Sequence, residues 1–153
     1  MIFEHQFLEM KNVLSYRNKM TQKEVNNKLI EFHNIISDIK LGNIVTTTYS
    51  VEIVREEKIF DIEILCPIEL CISIPNGYTL KPVFKLTNAL KLTHYGNPQY
   101  MQKSIQAVID YANTKGYTPI TSIYNVSIIE PNSMEEMDKM QMDIYLGITE
   151  NII

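Results

Sequence analysis

A pair of matching helical patterns constrains the fold of this chain more than any other feature. The first begins at Thr21, whose hydroxyl can accept the N–H of Glu24 while the Glu24 side chain reaches back, an arrangement called a capping box. We predict a helix over residues 21–40, closed by Gly42 in a left-handed conformation. Its apolar side chains recur every three or four residues and therefore share one face: Val25, Leu29, Phe32, Ile36 and Ile39.

The second pattern repeats the first at a constant distance along the chain. Asn97 is the predicted N-cap, Pro98 takes the first helical position, and Gly116 ends the helix. This match indicates that the chain is built from two similar halves. The two apolar faces correspond residue by residue, in the pairs Val25/Met101, Leu29/Ile105, Phe32/Val108 and Ile36/Ala112.

Two strand patterns follow each helix, because apolar and polar residues alternate there as they do in strands with one buried face. An apolar stretch also precedes each helix. The resulting order is strand, helix, strand, strand, and it occurs twice. The predicted strands cover residues 7–20, 45–53, 60–66, 84–94, 124–128 and 142–148.

This order of elements predicts an α+β fold of two pseudo-symmetric strand–helix–strand–strand repeats, with an antiparallel sheet and both helices on one face. We expect a single domain over residues 1–153, with repeat one at about 5–74 and repeat two at about 80–150. The turn at residues 75–78, Pro-Asn-Gly-Tyr, separates the repeats, since Asn-Gly favours the positive φ angles of tight turns.

Composition excludes several classes of protein. The 153 residues carry 14 Lys and Arg against 18 Asp and Glu, a net charge of −4, so no basic face is expected for nucleic acid. No apolar run approaches the roughly 20 residues that cross a bilayer, which predicts no membrane insertion. Two cysteines cannot form a disulfide framework. We expect a cytoplasmic protein.

The chain shows no recognisable catalytic or metal-binding motif. Cys66 and Cys71 lack the spacing of a zinc or redox pair, and a structural role is favoured for both. His94 precedes the second helix and is a candidate acid, base or helix cap, but no nucleophile motif accompanies it. We therefore predict no catalytic residues, no metal and no cofactor, and binding rather than enzymatic activity.

Several segments resemble gyrase-inhibitor-like domains, the effector-binding domains often attached to bacterial transcription activators. The segments are 94–100 (His-Tyr-Gly-Asn-Pro-Gln-Tyr), 115–117 (Lys-Gly-Tyr), 61–68 (Asp-Ile-Glu-Ile-Leu-Cys-Pro-Ile) and 142–148 (Met-Asp-Ile-Tyr-Leu-Gly-Ile). The resemblance implies a two-repeat fold with a cleft for hydrophobic, often cationic, molecules. The family's closing-strand Glu is matched here by Asp143.

Two interpretations of the acidic strand positions remain open. Asp61, Glu63 and Asp143 alternate with apolar residues, so their faces are either solvated or form part of a ligand site. If the cleft of the resemblance exists, tyrosine rings and a carboxylate in it would attract a cation. The candidate ligand-cleft residues are Tyr49, Tyr124, Asp143 and Tyr145.

A methionine-rich segment follows Ser133, whose spacing from Glu136 predicts another capping box. Methionine suits surfaces that adapt to a partner, although these side chains are equally expected as filler over the sheet. The candidate partner-surface residues are Met134, Met137 and Met140.

A narrower resemblance is to the stand-alone accessory proteins of type VII secretion in Gram-positive bacteria. It implies a chaperone that binds a secreted protein substrate or a secretion component, with a homodimer possible. The alternative function is a small-molecule sensor or binding protein that takes a hydrophobic or cationic ligand in the cleft between repeats.

Overall fold

The predicted order of elements is present in the structure, a computed structural model that describes residues 1–70, 72–131 and 133–150. Cys71 lies outside the described residues. The α+β class, the antiparallel pairing and the twice-repeated order are confirmed. The elements are β1 (Ile2–Thr21), α1 (Gln22–Ile36), β2 (Val45–Val54), β3 (Glu57–Pro67), β4 (Thr79–Tyr95), α2 (Met101–Lys115), β5 (Tyr117–Ile129) and β6 (Gln141–Glu150), with short 3-10 helices at Pro98–Tyr100 and Met134–Lys139.

The chain forms two compact units. We call Glu9–Phe84 the first unit, and Met1–Leu8 together with Lys85–Ile153 the second unit. Each unit has its closing strand in the middle of three: β3 pairs with β1 and β2, and β6 pairs with β4 and β5. The repeat limits at about 5–74 and 80–150 stay a prediction.

The core of the first unit lies between α1 and one face of its strands. Phe32 and Ile36 point from the helix into this core, as the apolar spacing predicts. The helix begins as predicted, because Thr21 Oγ1 accepts the N–H of Glu24 and the Glu24 carboxylate accepts the N–H of Thr21. The buried residues of this cluster are Leu14, Phe32, Ile36, Ile39, Ile44, Ile64, Cys66 and Ile68.

The end of α1 differs from the prediction of residues 21–40. The helix stops at Ile36, and Gly42 is not among the described glycines with a left-handed backbone, which are Gly77, Gly96 and Gly116. The backbone after the helix is instead drawn to the end of β3, where the Leu41 N–H donates to the Pro67 carbonyl at 2.8 Å. One turn still follows the helix, since the Lys40 N–H donates to the Ile36 carbonyl at 2.9 Å, and the chain joins β3 only after it.

The second unit repeats this packing around α2. Its cluster joins Val108 and Ala112 of the helix to Leu90 of β4 and to three side chains of β6, Ile144, Leu146 and Ile148. Neither α1 nor α2, nor any other helix within the described residues, is long and apolar enough to cross a membrane.

Both ends of the second helical segment use the residues that its sequence pattern predicts. The Asn97 side chain accepts the N–H of Gln99, and Pro98 opens a 3-10 turn that leads into α2. Gly116 ends the helix with φ of 76°, a left-handed conformation that costs glycine little. The caps therefore follow local sequence here.

A bulge in β2 overturns part of the predicted strand pattern. Val45 and Thr47 are buried as expected, but the pairing with β3 shifts between Thr48 and Ser50. An extra residue in one strand moves every later side chain to the opposite face. Val51 and Ile53, which the alternation places on the face of Val45, are exposed, as are the other residues of β2 from Thr48 onward.

Candidate ligand-binding site

A buried carboxylate lies on the face of β3 that points away from α1. Ile64 and Cys66 of β3 enter the helix-side core, so Glu63 between Ile62 and Ile64 points to the other face. Glu63 is 2% exposed. The interpretation of this face as solvated is therefore wrong for Glu63. A buried carboxylate needs hydrogen-bond partners, because burial without them is costly.

Three donors from three other strands surround the Glu63 carboxylate. The Ser15 hydroxyl of β1 and the Lys81 ammonium of β4 both donate to Oε2, each at 2.5 Å. The Tyr49 hydroxyl of β2 donates to Oε1, also at 2.5 Å. Tyr49 is the bulged residue of β2, and its hydroxyl reaches the same face as Thr47. The bulge is therefore part of how the site is built.

These contacts keep Glu63 ionised. Burial by itself would raise the pKa of Glu63, but the hydrogen bonds from Lys81, Ser15 and Tyr49 outweigh it and hold that pKa below its ordinary value. Glu63 is therefore a carboxylate at neutral pH, and the Lys81 ammonium is its counter-ion.

A second ion pair lies beside this carboxylate. Arg17 of β1 donates two hydrogen bonds to Asp61, at 3.1 and 3.0 Å. Its guanidinium carbon also lies 3.8 Å from the centre of the Tyr49 ring, a cation–π contact. Hydrogen bonding to Arg17 lowers the pKa of Asp61. The Tyr49 ring thus binds a cation, as the chemistry of tyrosine predicts, and that cation is the Arg17 side chain of the protein itself.

The second unit gathers three of the four predicted cleft residues. Tyr124 and Tyr145 face each other across the β5–β6 pairing, and Asp143 is two residues before Tyr145 on β6. All three are buried, so the solvated interpretation is also wrong for Asp143. Thr93 Oγ1 donates to Asp143 at 2.7 Å, and the Lys91 ammonium lies 3.6 Å from the same carboxylate.

The fourth predicted cleft residue, Tyr49, lies in the first unit beside Glu63. Sequence reasoning singled out Asp61 and Glu63 as acidic strand positions but missed Ser15 and Lys81. One local signal existed, since Glu63 interrupts an apolar strand between Ile62 and Ile64. No local signal identifies Ser15 or Lys81, because each meets Glu63 only through strand pairing.

The methionine-rich segment presents one clearly exposed side chain. Met134 is 84% exposed, Met137 is half-buried and Met140 is buried. The predicted capping box is wrong: within the described residues, the Ser133 side chain makes no capping hydrogen bond, and Met134–Lys139 forms a 3-10 helix. Of the three predicted partner-surface residues, Met134 is therefore the most accessible.

His94 has a structural position at the end of β4. Its Nε2 donates to the Asn97 carbonyl at 3.1 Å, which leaves Nδ1 to accept from the Ser104 hydroxyl at 2.8 Å. The ring thus ties β4 to Asn97 and to Ser104 of α2, and neither contact is with a backbone N–H of the helix as a cap would require.

Burial raises the pKa of the Cys66 thiol to about 11, which leaves it in the unreactive thiol form. Among the described residues, no three His, Cys, Asp or Glu side chains are grouped as a metal site requires.

Comparison with known proteins identifies the fold. No family model matches the chain, and no curated protein matches it. The crystal structure of the EcmrR C-terminal domain matches with a TM-score of 0.72 and 14% identity, over 99% of both chains. A hydrolase from Listeria innocua matches with a TM-score of 0.58 and 11% identity, over 95% of this chain and 93% of that one.

Two further structures of similar fold contain bound molecules. SAV2435 bound to tetraphenylphosphonium matches with a TM-score of 0.54 and 12% identity, over 96% of this chain and 94% of that one. EcmrR in complex with DNA matches over 98% of this chain, which spans 58% of the EcmrR length. The chain therefore shares the fold of these structures.

Proposed function

We propose that this chain binds hydrophobic organic cations, and that the Glu63 carboxylate supplies the charge that attracts them. The observation that carries this proposal is the burial of Glu63, which is 2% exposed and yet held ionised. A buried carboxylate needs a counter-charge, and a cationic ligand can supply one as the Lys81 side chain does.

The charge of Glu63 suits an organic cation. Tyr49 donates its hydroxyl to the carboxylate, and its ring face is covered by the Arg17 guanidinium at 3.8 Å. The attraction for a ligand therefore comes from the Coulomb field of the carboxylate. The shared fold with SAV2435, a protein seen with tetraphenylphosphonium, supports this ligand class.

Isothermal titration with tetraphenylphosphonium tests the proposal. We expect saturable binding by the wild-type protein and at least about tenfold weaker binding by Glu63→Gln, because the substitution removes the charge and keeps the size. Tetraphenylborate is a matched ligand control, since it has a similar shape and the opposite charge. Equal binding of both ligands, or of neither, would contradict the proposal.

Asp143→Asn is the matched protein control, because Asp143 is also a buried carboxylate beside tyrosine. If Asp143→Asn abolishes binding and Glu63→Gln leaves it unchanged, the ligand belongs to the cluster of Tyr124, Asp143 and Tyr145 that the sequence predicts. The pair of variants therefore assigns the binding residues as well as the function.

A second proposal concerns a protein partner, as the resemblance to type VII secretion accessory proteins implies. It is supported by the exposure of Met134, an apolar side chain that protrudes from the Met134–Lys139 segment. Purification of the tagged protein from its host, beside a Met134→Glu variant, tests it by mass spectrometry. Recovery of the same proteins with both variants, or of no secretion protein, would contradict it.

A further inference from the structure

We propose that Lys81 is a resident counter-ion which an incoming cation displaces from Glu63, so that Lys81 limits the affinity and excludes uncharged ligands. This inference rests on the proposed cation binding. It adds the step by which a ligand would enter: the Lys81 ammonium already occupies the position beside Glu63 and has to leave first.

The two ends of the Lys81–Glu63 pair differ in their access to water. The Lys81 ammonium lies 2.5 Å from Glu63 Oε2. The Lys81 side chain is 40% exposed, whereas the Glu63 side chain is only 3% exposed. Lysine keeps its charged end hydrated on a long flexible stem, so the ammonium can move into solvent without being buried elsewhere. Glu63 has no such freedom, and Lys81 is therefore the partner that leaves.

Arg17, the other cation near Tyr49, is held more firmly. Its guanidinium makes two hydrogen bonds to Asp61 and also covers the Tyr49 ring. Two-point binding of this kind fixes the geometry in a way that a single ammonium contact does not. Arg17 is therefore expected to stay in place when Lys81 is displaced.

The carboxylate keeps two donors after Lys81 leaves. The Ser15 and Tyr49 hydroxyls continue to hydrogen-bond Glu63, but neither carries a charge. A buried carboxylate without a counter-charge is strongly unfavourable, so the exchange proceeds only if the ligand brings a positive charge of its own. An uncharged molecule of the same shape cannot replace the ammonium, which makes Lys81 a residue that determines specificity.

Lys81→Gln tests this inference, because glutamine keeps a hydrogen-bond donor and removes the charge. We expect tetraphenylphosphonium to bind Lys81→Gln about tenfold or more tightly than the wild type, measured by isothermal titration. Lys19→Gln is the matched control, since Lys19 pairs with Glu52 at 3.3 Å, both side chains are more than half exposed, and the change in net charge is the same. Its affinity is expected to stay within about twofold.

The outcomes separate this inference from the proposed function. Binding to the wild type with equal or weaker binding to Lys81→Gln would overturn the displacement of Lys81 and leave cation binding intact. Absence of binding to all three proteins would overturn cation binding itself. Binding to Lys81→Gln without binding to the wild type would contradict the proposed function of the wild type, although it would show that the Lys81 ammonium blocks the site.

Two further measurements keep the inference testable if Lys81→Gln fails to fold. Lys81→Arg retains the charge, and its planar guanidinium can donate two parallel hydrogen bonds to one carboxylate, so the affinity of this variant for tetraphenylphosphonium is expected to fall below that of the wild type. In the wild type, reductive methylation of Lys81, followed by mass spectrometry, should become faster when the ligand is added. An unchanged methylation rate under saturating ligand would overturn the inference.

Discussion

At the scale of single residues, Glu63 shows how hydrogen bonds and a counter-charge offset the cost of burying a carboxylate. Each carboxylate oxygen accepts at least one short hydrogen bond, and the Lys81 ammonium balances the charge. Glutamine at this position has one acceptor oxygen in place of two and turns an NH₂ group toward donors. The site therefore selects a carboxylate over its closest neutral analogue.

We predict that Glu63→Gln lowers the free energy of unfolding by about 1–3 kcal/mol, since a buried donor loses its acceptor. Urea unfolding at neutral pH measures the change. Glu52→Gln is the matched control: its ion pair with Lys19 is exposed, and its effect should stay within about 0.5 kcal/mol. Equal effects of the two substitutions would contradict the structural role of Glu63.

At the scale of secondary structure elements, the start of a helix depends on neighbouring residues, whereas a bulge depends on residues that are distant along the chain. The start of α1 follows from four consecutive residues, while the chain that leaves its end is held by a hydrogen bond between Leu41 and Pro67. The bulges in β2 and β5 likewise arise from pairing with β3 and β6. Local sequence patterns therefore predict the helix start, whereas pairing with a distant strand decides the bulges.

A close approach of two strands in the second unit gives a prediction at this scale. The Gly147 N–H donates to Thr121 Oγ1 at 2.9 Å within the β5 bulge, and a Cβ at Gly147 would lie 2.6 Å from Thr121 Cγ2. We expect Gly147→Ala to lower the free energy of unfolding by about 1–3 kcal/mol.

Thr121→Ser tests the cause of that loss, because serine keeps the hydroxyl and removes the methyl group that alanine would meet. The double variant should therefore lose less stability than Gly147→Ala and Thr121→Ser added together. Strict additivity in urea unfolding would show that the methyl contact is not responsible.

At the scale of the whole molecule, the chain is a duplicated arrangement in which both units place an acidic residue and tyrosines on the second face of their strands. Asp61 pairs with Arg17 in the first unit, as Asp143 lies beside Lys91 in the second. The net charge of −4 does not reveal this arrangement, because positive and negative groups are paired locally. The positions of the charged groups therefore say more about the candidate sites than the net charge does.

Paired carboxylates also set how stability depends on pH. Hydrogen bonds from neighbouring side chains or backbone hold the pKa below its ordinary value for five groups: Glu4, Glu24, Glu31, Asp61 and Glu63. A carboxyl with a lowered folded pKa stabilises above its unfolded pKa, about 4, and that contribution disappears as the pH falls through the folded value.

We therefore expect the free energy of unfolding to fall steadily between about pH 5 and pH 3, measured by urea unfolding at each pH. Glu63→Gln should show a smaller fall than the wild type, because one of the five groups is removed. A stability that is constant or rises over this range would contradict the prediction.

The sequence alone determined the element order, the apolar faces of both helices, the capping box at Thr21 and the left-handed end at Gly116. Each depends on residues within one or two turns of chain, where periodicity and local hydrogen bonds act. Only the tertiary structure decided how the chain continues from Leu41 to the end of β3 and which carboxylate is buried. The partners of Glu63 come from positions 14 to 48 residues away, so strand pairing and a bulge, rather than local preference, brought them together.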